Sequence, residues 1–149
     1  MPDPALCTEA DIRKLVHQFY ARVRADARLG PIFDAHIDDW PAHLQRLCDF
    51  WSSILRGSGR FTGAPMPKHI ALPDLDAALF EHWLQLFHAT TAEQANQAMA
   101  RQADAAAQRI AQSLWLGYQS SRRGGKPDGA QRQAMLAPLQ LPATMKAAP

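Results

Sequence analysis

Apolar side chains recur every three or four residues in four stretches of this chain, which is the spacing of a helix that buries one face. No stretch shows the two-residue alternation of strands joined by tight turns, so the pattern predicts an all-α fold. The first stretch predicts a helix over about residues 9 to 27, capped by Thr8 and stopping near Gly30-Pro31, with Phe33 in a short bend.

Three further helices are expected after this bend. The second of the four predicted helices carries Pro41 in its first turn, where a helix needs no amide donor, and ends at Gly57, a residue that favours helix termination. The residues suited to cap the starts of these three helices are Asp38 or Asp39, Asp74 or Asp76, and Thr90 or Thr91. The fourth helix is long, because its apolar stripe continues through Ile110 and Leu114.

The connection between the second and third helices is rich in glycine and proline over residues 58 to 73, so at most one helical turn fits there. His69 lies in this connection, within the sequence PMPKHIALP that spans residues 65 to 73. A long connection without regular structure is uncommon inside a compact domain and is usually functional. His69 is therefore a candidate functional residue.

The composition changes near residue 121. Residues 122 to 149 are rich in Ala, Pro, Gly, Gln and Lys and carry few apolar side chains, which is typical of a flexible C-terminal tail. The sequence thus predicts one domain over residues 8 to 121 followed by this tail.

Length, charge and cysteine content exclude several classes of protein. The chain has 149 residues, 47% of them hydrophobic and 20% charged, which suits one globular domain with a real core. A net charge of +2 is too small to indicate a nucleic-acid partner. No apolar run is long enough for a membrane span and no signal-peptide pattern is present, so we expect a cytoplasmic protein. Cys7 and Cys48 are isolated and fit no CxxC or CxxCH pattern.

Four side chains with polar tips fall on faces expected to be buried, or in the proline-rich connection: Tyr20, His43, His69 and Trp83. Each alone has an ordinary explanation as a core or loop residue. Together they indicate a polar centre inside an apolar site, and haem held by one histidine satisfies that requirement. A zinc or non-haem iron site fits less well, because the two histidines do not share a helical turn and no carboxylate completes a ligand set. A cofactor-free helical interaction domain stays open as an alternative.

Four blocks of sequence, in this order and spacing, resemble the truncated haemoglobins, specifically their group III branch, over about residues 9 to 121. The blocks are QFYARVRADARLGPIF (18–33), WPAHLQRLCDFW (40–51), GAPMPKHIALP (63–73) and FEHWLQLF (80–87). The resemblance implies a two-over-two helical sandwich around a non-covalently bound haem b.

The resemblance also implies roles for individual residues. His69 matches the iron ligand, and Tyr20, His43 and Trp83 match the distal-pocket residues on the ligand side of the haem. The cofactor-binding residues that it implies are Phe33, Leu47, Phe50, Lys68, Leu72, Ile110 and Leu114. The other histidines, including His82 and His88, are expected at the surface.

The function implied is the binding of dioxygen, nitric oxide or another diatomic ligand, in support of nitric oxide detoxification or peroxide and redox chemistry. Turnover requires an electron donor, and the chain has no GxGxxG fingerprint, so an unidentified reductase is an expected partner. The alternative is a haem-based oxygen or nitric oxide sensor, or a storage globin without turnover.

Overall fold

The computed structural model describes residues 2–61, 75–123 and 139, with side chains in the last helix as far as Gln119. Five α-helices and no strand occur within these ranges, which confirms the predicted all-α class. The helices are α1 (Glu9–Ala25), α2 (Leu29–His36), α3 (Trp40–Arg56), α4 (Ala77–Thr91) and α5 (Gln97–Arg123). None of these described helices is both long enough and apolar enough to cross a bilayer.

Thr8 begins α1 as predicted. Its hydroxyl accepts the backbone N–H of Asp11 at 3.0 Å, and the Asp11 carboxylate accepts the backbone N–H of Thr8 at 3.0 Å. This reciprocal pair is a capping box, which satisfies two amides that the first turn leaves without helical partners. The apolar stripe read from the sequence, from Ile12 to Val23, is buried along its whole length.

A second helix occupies the place where the sequence predicts a short bend around Phe33, so that prediction is wrong. Pro31 lies in the first turn of α2, where its missing N–H removes no helical hydrogen bond. Gly30 is needed for close packing, since a Cβ there would lie 2.6 Å from the carbonyl oxygen of Arg24 on α1. Both residues, expected to stop the first helix, therefore lie inside the next one.

Asp26 connects α1, α2 and α4. Its carboxylate accepts the backbone N–H groups of Arg28 at 3.0 Å and Leu29 at 2.8 Å, and it pairs with His82 at 2.7 Å. Burial raises the pKa of Asp26, but these hydrogen bonds outweigh burial and hold the pKa below its ordinary value. The ionised carboxylate therefore stabilises this corner of the fold.

The bounds of α3 follow the sequence closely. Asp39 caps it by accepting the backbone N–H of Ala42 at 3.1 Å, and Pro41 lies in the first turn. Gly57 ends the helix with a left-handed φ of 68°, a conformation that costs glycine little. Midway along the helix, the Trp51 indole stacks on Phe87 of α4 with ring centroids 5.1 Å apart.

Thr90 and Thr91 do not cap the last helix, so that part of the prediction is wrong. Both belong to the end of α4 and are buried, and the Thr90 hydroxyl donates back to the Leu86 carbonyl at 2.9 Å. The capping contact comes instead from Asn96, whose side-chain oxygen accepts the backbone N–H of Met99 at 3.0 Å. Threonine hydroxyls bond to the preceding turn as readily as to a following one, and the pattern alone does not separate the two.

A half-buried carboxylate joins α4 to α5. Asp104 accepts the Thr91 hydroxyl at 2.8 Å and pairs with His88 at 3.1 Å. Burial raises the pKa of Asp104, and the contacts with Thr91 and His88 lower it by less than burial raises it.

The helices form two pairs that pack on each other, α1 with α3 and α4 with α5, while α1 also contacts α2 and α4. Among the described residues, Phe19 and Phe87 are the largest side chains that are almost completely buried. Phe19 meets Phe87 edge to face at 4.9 Å, so that α1 and α4 are joined through aromatic contacts at the centre of the core.

Residues 62 to 74, which include His69, Lys68 and Leu72, lie outside the described residues. The positions on either side are held by side chains. The Ser53 hydroxyl of α3 accepts the backbone N–H of Phe61 at 2.9 Å, and the Tyr118 hydroxyl of α5 accepts that of Leu75 at 3.1 Å.

Three residues of the predicted tail are described: Arg122 and Arg123, which belong to the end of α5, and Leu139. Leu139 is buried, and its backbone N–H donates to the side-chain oxygen of Gln112 at 3.0 Å. The flexibility of residues 122 to 149 otherwise stays a prediction.

Candidate functional site

Three of the four polar-tipped side chains predicted from the sequence meet between α1, α3 and α4. Tyr20 of α1 is 5% exposed, and its ring lies 6.1 Å from the His43 ring of α3. Phe19 lies against Tyr20 at 4.8 Å and against Trp83 of α4 at 5.3 Å. The helical stripes therefore converge on one aromatic cluster, as the sequence predicts.

Tyr20 and Trp83 form a polar pair inside this apolar cluster. Burial raises the pKa of Tyr20 far above its ordinary value, while a hydrogen bond from the Trp83 side chain lowers it by a smaller amount. The indole N–H can only donate, so the phenol oxygen is the acceptor and the phenol O–H stays available to donate elsewhere. The pair is thus a neutral donor set throughout the physiological pH range.

His43 has rings on two sides. Its imidazole meets Tyr20 nearly at a right angle and meets Trp40 at 5.6 Å with an interplanar angle of 89°. The Tyr20 and Trp40 rings are 6.2 Å apart, so the three rings form a triangle with nearly equal sides. His43 itself is half-buried. This places a titratable side chain at the boundary between the aromatic cluster and solvent.

The apolar residues implied as cofactor contacts occupy α2, α3 and α5. Phe33 lies 6.0 Å from Tyr20, and Leu47 and Phe50 are half-buried on α3. On α5, Ile110 is half-buried, whereas Leu114 is buried in the core. Their contact with a cofactor stays a prediction.

The partial exposure of several apolar side chains on α3, α4 and α5 suits a haem. Large apolar side chains on the inner helices of a small domain are normally fully buried, yet several on α3, α4 and α5 pack against the core while remaining partly exposed. A flat apolar group bound over them would remove that surface from water, and the donors of Tyr20, Trp83 and His43 would address its polar centre. The residues of this kind are Leu44, Leu47, Phe50, Ile54, Leu86 and Ile110.

Sequence reasoning missed the residues that hold Trp40 in place. Its indole N–H donates to the Asp34 carboxylate at 3.2 Å, and the Arg24 guanidinium lies over its ring, 4.5 Å from the centroid. Arg24 and Asp34 also approach each other to 3.7 Å. These three residues come from α1, α2 and α3, and no spacing in the sequence connects them.

The prediction that His82 and His88 lie at the surface is wrong. Their side chains are 23% and 25% exposed, and each pairs with a carboxylate, Asp26 and Asp104 respectively. A histidine beside an apolar stripe looks the same in sequence whether it meets solvent or a carboxylate from a distant helix.

Comparison with known proteins identifies the family to which this cluster of helices belongs. The family described as bacterial-like globin matches residues 5–113, which is more than half of the chain. The chain belongs to the bacterial-like globin family. The helical pairs and the aromatic cluster are thus parts of a globin, and the family implies haem iron as cofactor and diatomic gases as ligands.

Two relatives indicate which branch of the family this globin is similar to. It is 40% identical to the group 3 truncated hemoglobin ctb of Campylobacter jejuni over 83 residues, which cover 53% of this chain and 65% of the relative. Its fold matches the crystal structure of a group III truncated hemoglobin from Campylobacter jejuni with a TM-score of 0.70 and 34% identity, covering 80% of this chain and 96% of that one. The predicted resemblance to the group III branch and the predicted truncated globin fold are confirmed.

Proposed function

We propose that this globin binds haem b non-covalently through His69, holds dioxygen tightly at the haem, and uses it to convert nitric oxide to nitrate. The observation that carries the proposal is the Tyr20–Trp83 pair, in which the half-buried Trp83 donates to the buried Tyr20 and leaves the phenol O–H as a donor in an otherwise apolar cluster. Haem, when bound, supplies the iron at which a diatomic ligand is held. The chain's own residues decide how long the ligand stays and what reaches it.

The donor pair favours dioxygen over ligands that develop less negative charge. The phenol oxygen of Tyr20 accepts the Trp83 indole N–H, so the Tyr20 O–H is the donor left for a bound ligand, and a hydrogen bond to a charged group contributes roughly 1.5–3 kcal/mol. Because 1.4 kcal/mol corresponds to a factor of ten, this donor slows dioxygen release by about 10- to 100-fold relative to an apolar pocket. Release this slow is unsuited to transport and suits a protein that keeps its ligand for a reaction.

His43 supplies the acid–base group of the proposal. Imidazole side chains exchange protons near physiological pH, so His43 can give or take a proton beside the Tyr20–Trp83 pair. The same position supports peroxide chemistry as a related activity. Conversion of nitric oxide and dioxygen to nitrate also consumes one electron per nitrate formed, and this electron comes from a separate reductase.

The first experiment tests the cofactor and its ligand. We expect the purified protein, supplied with haem, to show a strong Soret band that the His69→Ala variant loses or shifts. His17→Ala is the matched control, because it removes an imidazole from α1, outside the cluster. An unchanged spectrum for His69→Ala would remove His69 as the iron ligand.

The second experiment separates an enzyme from a sensor or storage globin. Reduced protein is given dioxygen, nitric oxide and an electron donor, and the consumption of nitric oxide and formation of nitrate are followed together. The proposal requires continued turnover with one nitrate formed per nitric oxide consumed. A single stoichiometric reaction that stops, with the electron donor still present, indicates binding without turnover.

A further inference from the structure

We propose that Trp40, Asp34 and Arg24, here called the Trp40 clamp, control ligand access to the pocket by holding the His43 ring where it lies, against Tyr20 and Trp40. This inference rests on the proposed function, since it concerns the same pocket. The three residues belong to different helices and none is among the polar-tipped residues of the pocket itself. They act as positioning residues through His43.

The Trp40 clamp lies on the solvent side of the His43 ring and limits its rotation towards solvent. Tyr20, on the other side, is buried, while Trp40 is half-buried and its neighbours face water. The side chains of Arg24 and Asp34 are 48% and 52% exposed. An outward turn of the imidazole, which would open the cluster to solvent, therefore requires the Trp40 indole to move.

Two contacts of different kinds oppose that movement. The Asp34 carboxylate accepts the indole N–H, which fixes the edge of the ring. The Arg24 guanidinium covers its face, which adds a cation–π contact, and its 3.7 Å approach to Asp34 joins the two partners. Because Arg24 and Asp34 are half-exposed, salt in the physiological range and above weakens this part of the clamp.

Residues that control access to the pocket affect the rate constants of ligand binding differently from residues that contact the ligand. Opening of His43 is a barrier that a ligand crosses both on its way in and on its way out. Weakening the clamp therefore raises the association and dissociation rate constants by the same factor and leaves their ratio, the equilibrium affinity, unchanged. Loss of a hydrogen-bond donor to the ligand acts mainly on dissociation.

The test measures carbon monoxide association by flash photolysis and carbon monoxide dissociation by ligand replacement, on haem-loaded protein. We expect Asp34→Ala and Arg24→Gln to raise both rate constants by about three- to tenfold, with the ratio kept within about twofold. Asp34→Asn keeps an acceptor for the indole and gives an intermediate increase, and it serves if the alanine variant folds poorly. The matched controls are Asp38→Ala and Arg28→Gln, which remove like charges from neighbouring exposed positions.

A salt titration of the original protein and of two variants completes the test. Raising ionic strength should increase both rate constants of the original protein and of the Asp38→Ala control, which keeps the clamp, towards those of Asp34→Ala, while Asp34→Ala itself should respond less. Rates in the clamp variants equal to the controls, or a change confined to dissociation, overturn the clamp and leave the proposed function standing. Failure of the original protein to take up haem overturns both.

Discussion

Replacing Tyr20 by phenylalanine tests the central physical claim about the pocket. The change removes one hydroxyl from a side chain that is 5% exposed and keeps the ring that packs on Phe19 and Phe33. The loss is then one hydrogen bond to a partly charged ligand, worth roughly 1.5–3 kcal/mol. Because 1.4 kcal/mol is tenfold, we expect dioxygen to dissociate about 10- to 100-fold faster, with little change in its association.

The assay is stopped-flow replacement of dioxygen by excess carbon monoxide, which reports the dissociation rate constant directly. Trp83→Phe should also accelerate release, and Trp115→Phe is its matched control, because that indole lies on α5 among Phe80 and Tyr118. Dioxygen release from Tyr20→Phe within about twofold of the original rate would refute the donor argument.

The hydrogen bond from Trp83 to Tyr20 adds two expectations to this experiment. Since the two side chains interact, their effects should not multiply, and the double variant should release dioxygen more slowly than the product of the single effects predicts. Burial raises the pKa of Tyr20, so the phenol stays protonated. Release should accordingly show no step between about pH 7 and pH 10, where an ordinary tyrosine begins to ionise.

Three further predictions concern the framework that positions the pocket. Gly30→Ala should destabilise the protein by about 1–3 kcal/mol in chemical denaturation, because the new Cβ would lie 2.6 Å from the Arg24 carbonyl oxygen. Asp26→Asn should lower the free energy of unfolding by about 1 kcal/mol at neutral pH. Because the pKa of Asp26 is lowered in the folded protein, its stabilising contribution is present above about pH 3.9 and disappears as pH falls through the lower folded value. The variant should therefore lose less stability on acidification than the original protein. Asp104→Asn should have the opposite effect on the pH dependence of stability. Because the pKa of Asp104 is raised in the folded protein, the original protein loses stability as pH rises from about 3.9 through the folded value. The amide removes this loss, which urea titrations at several pH values would show.

The sequence predicts best those features that depend on a few neighbouring residues. The capping box of Thr8, the aspartate cap of α3 and the left-handed Gly57 each require specific side chains at fixed offsets, and all three are present. The convergence of Tyr20 and Trp83 follows from the helical stripes, because a stripe that faces the core in each helix brings its members together.

Other features depend on contacts between distant parts of the chain. Gly30 looks like a helix breaker until its contact with α1 is known, and only then does it become a requirement for a helix. The partly buried environment of His82 depends on Asp26 at the end of α1, and the position of Trp40 depends on Arg24 and Asp34. Hydrophobic periodicity predicts which face of a helix is buried, but not which polar side chain from a distant part of the chain contacts that face.

The hydrogen bonds that flank residues 62 to 74 have a consequence for protein engineering. Ser53 and Tyr118 belong to helices on either side of the core, and each fixes a backbone amide just outside that segment. Variants of the intervening stretch, with another side chain in place of His69 or with a different length, can therefore be made between two fixed attachment points. Libraries built this way would test the proposed ligand role of His69 without redesigning the helices.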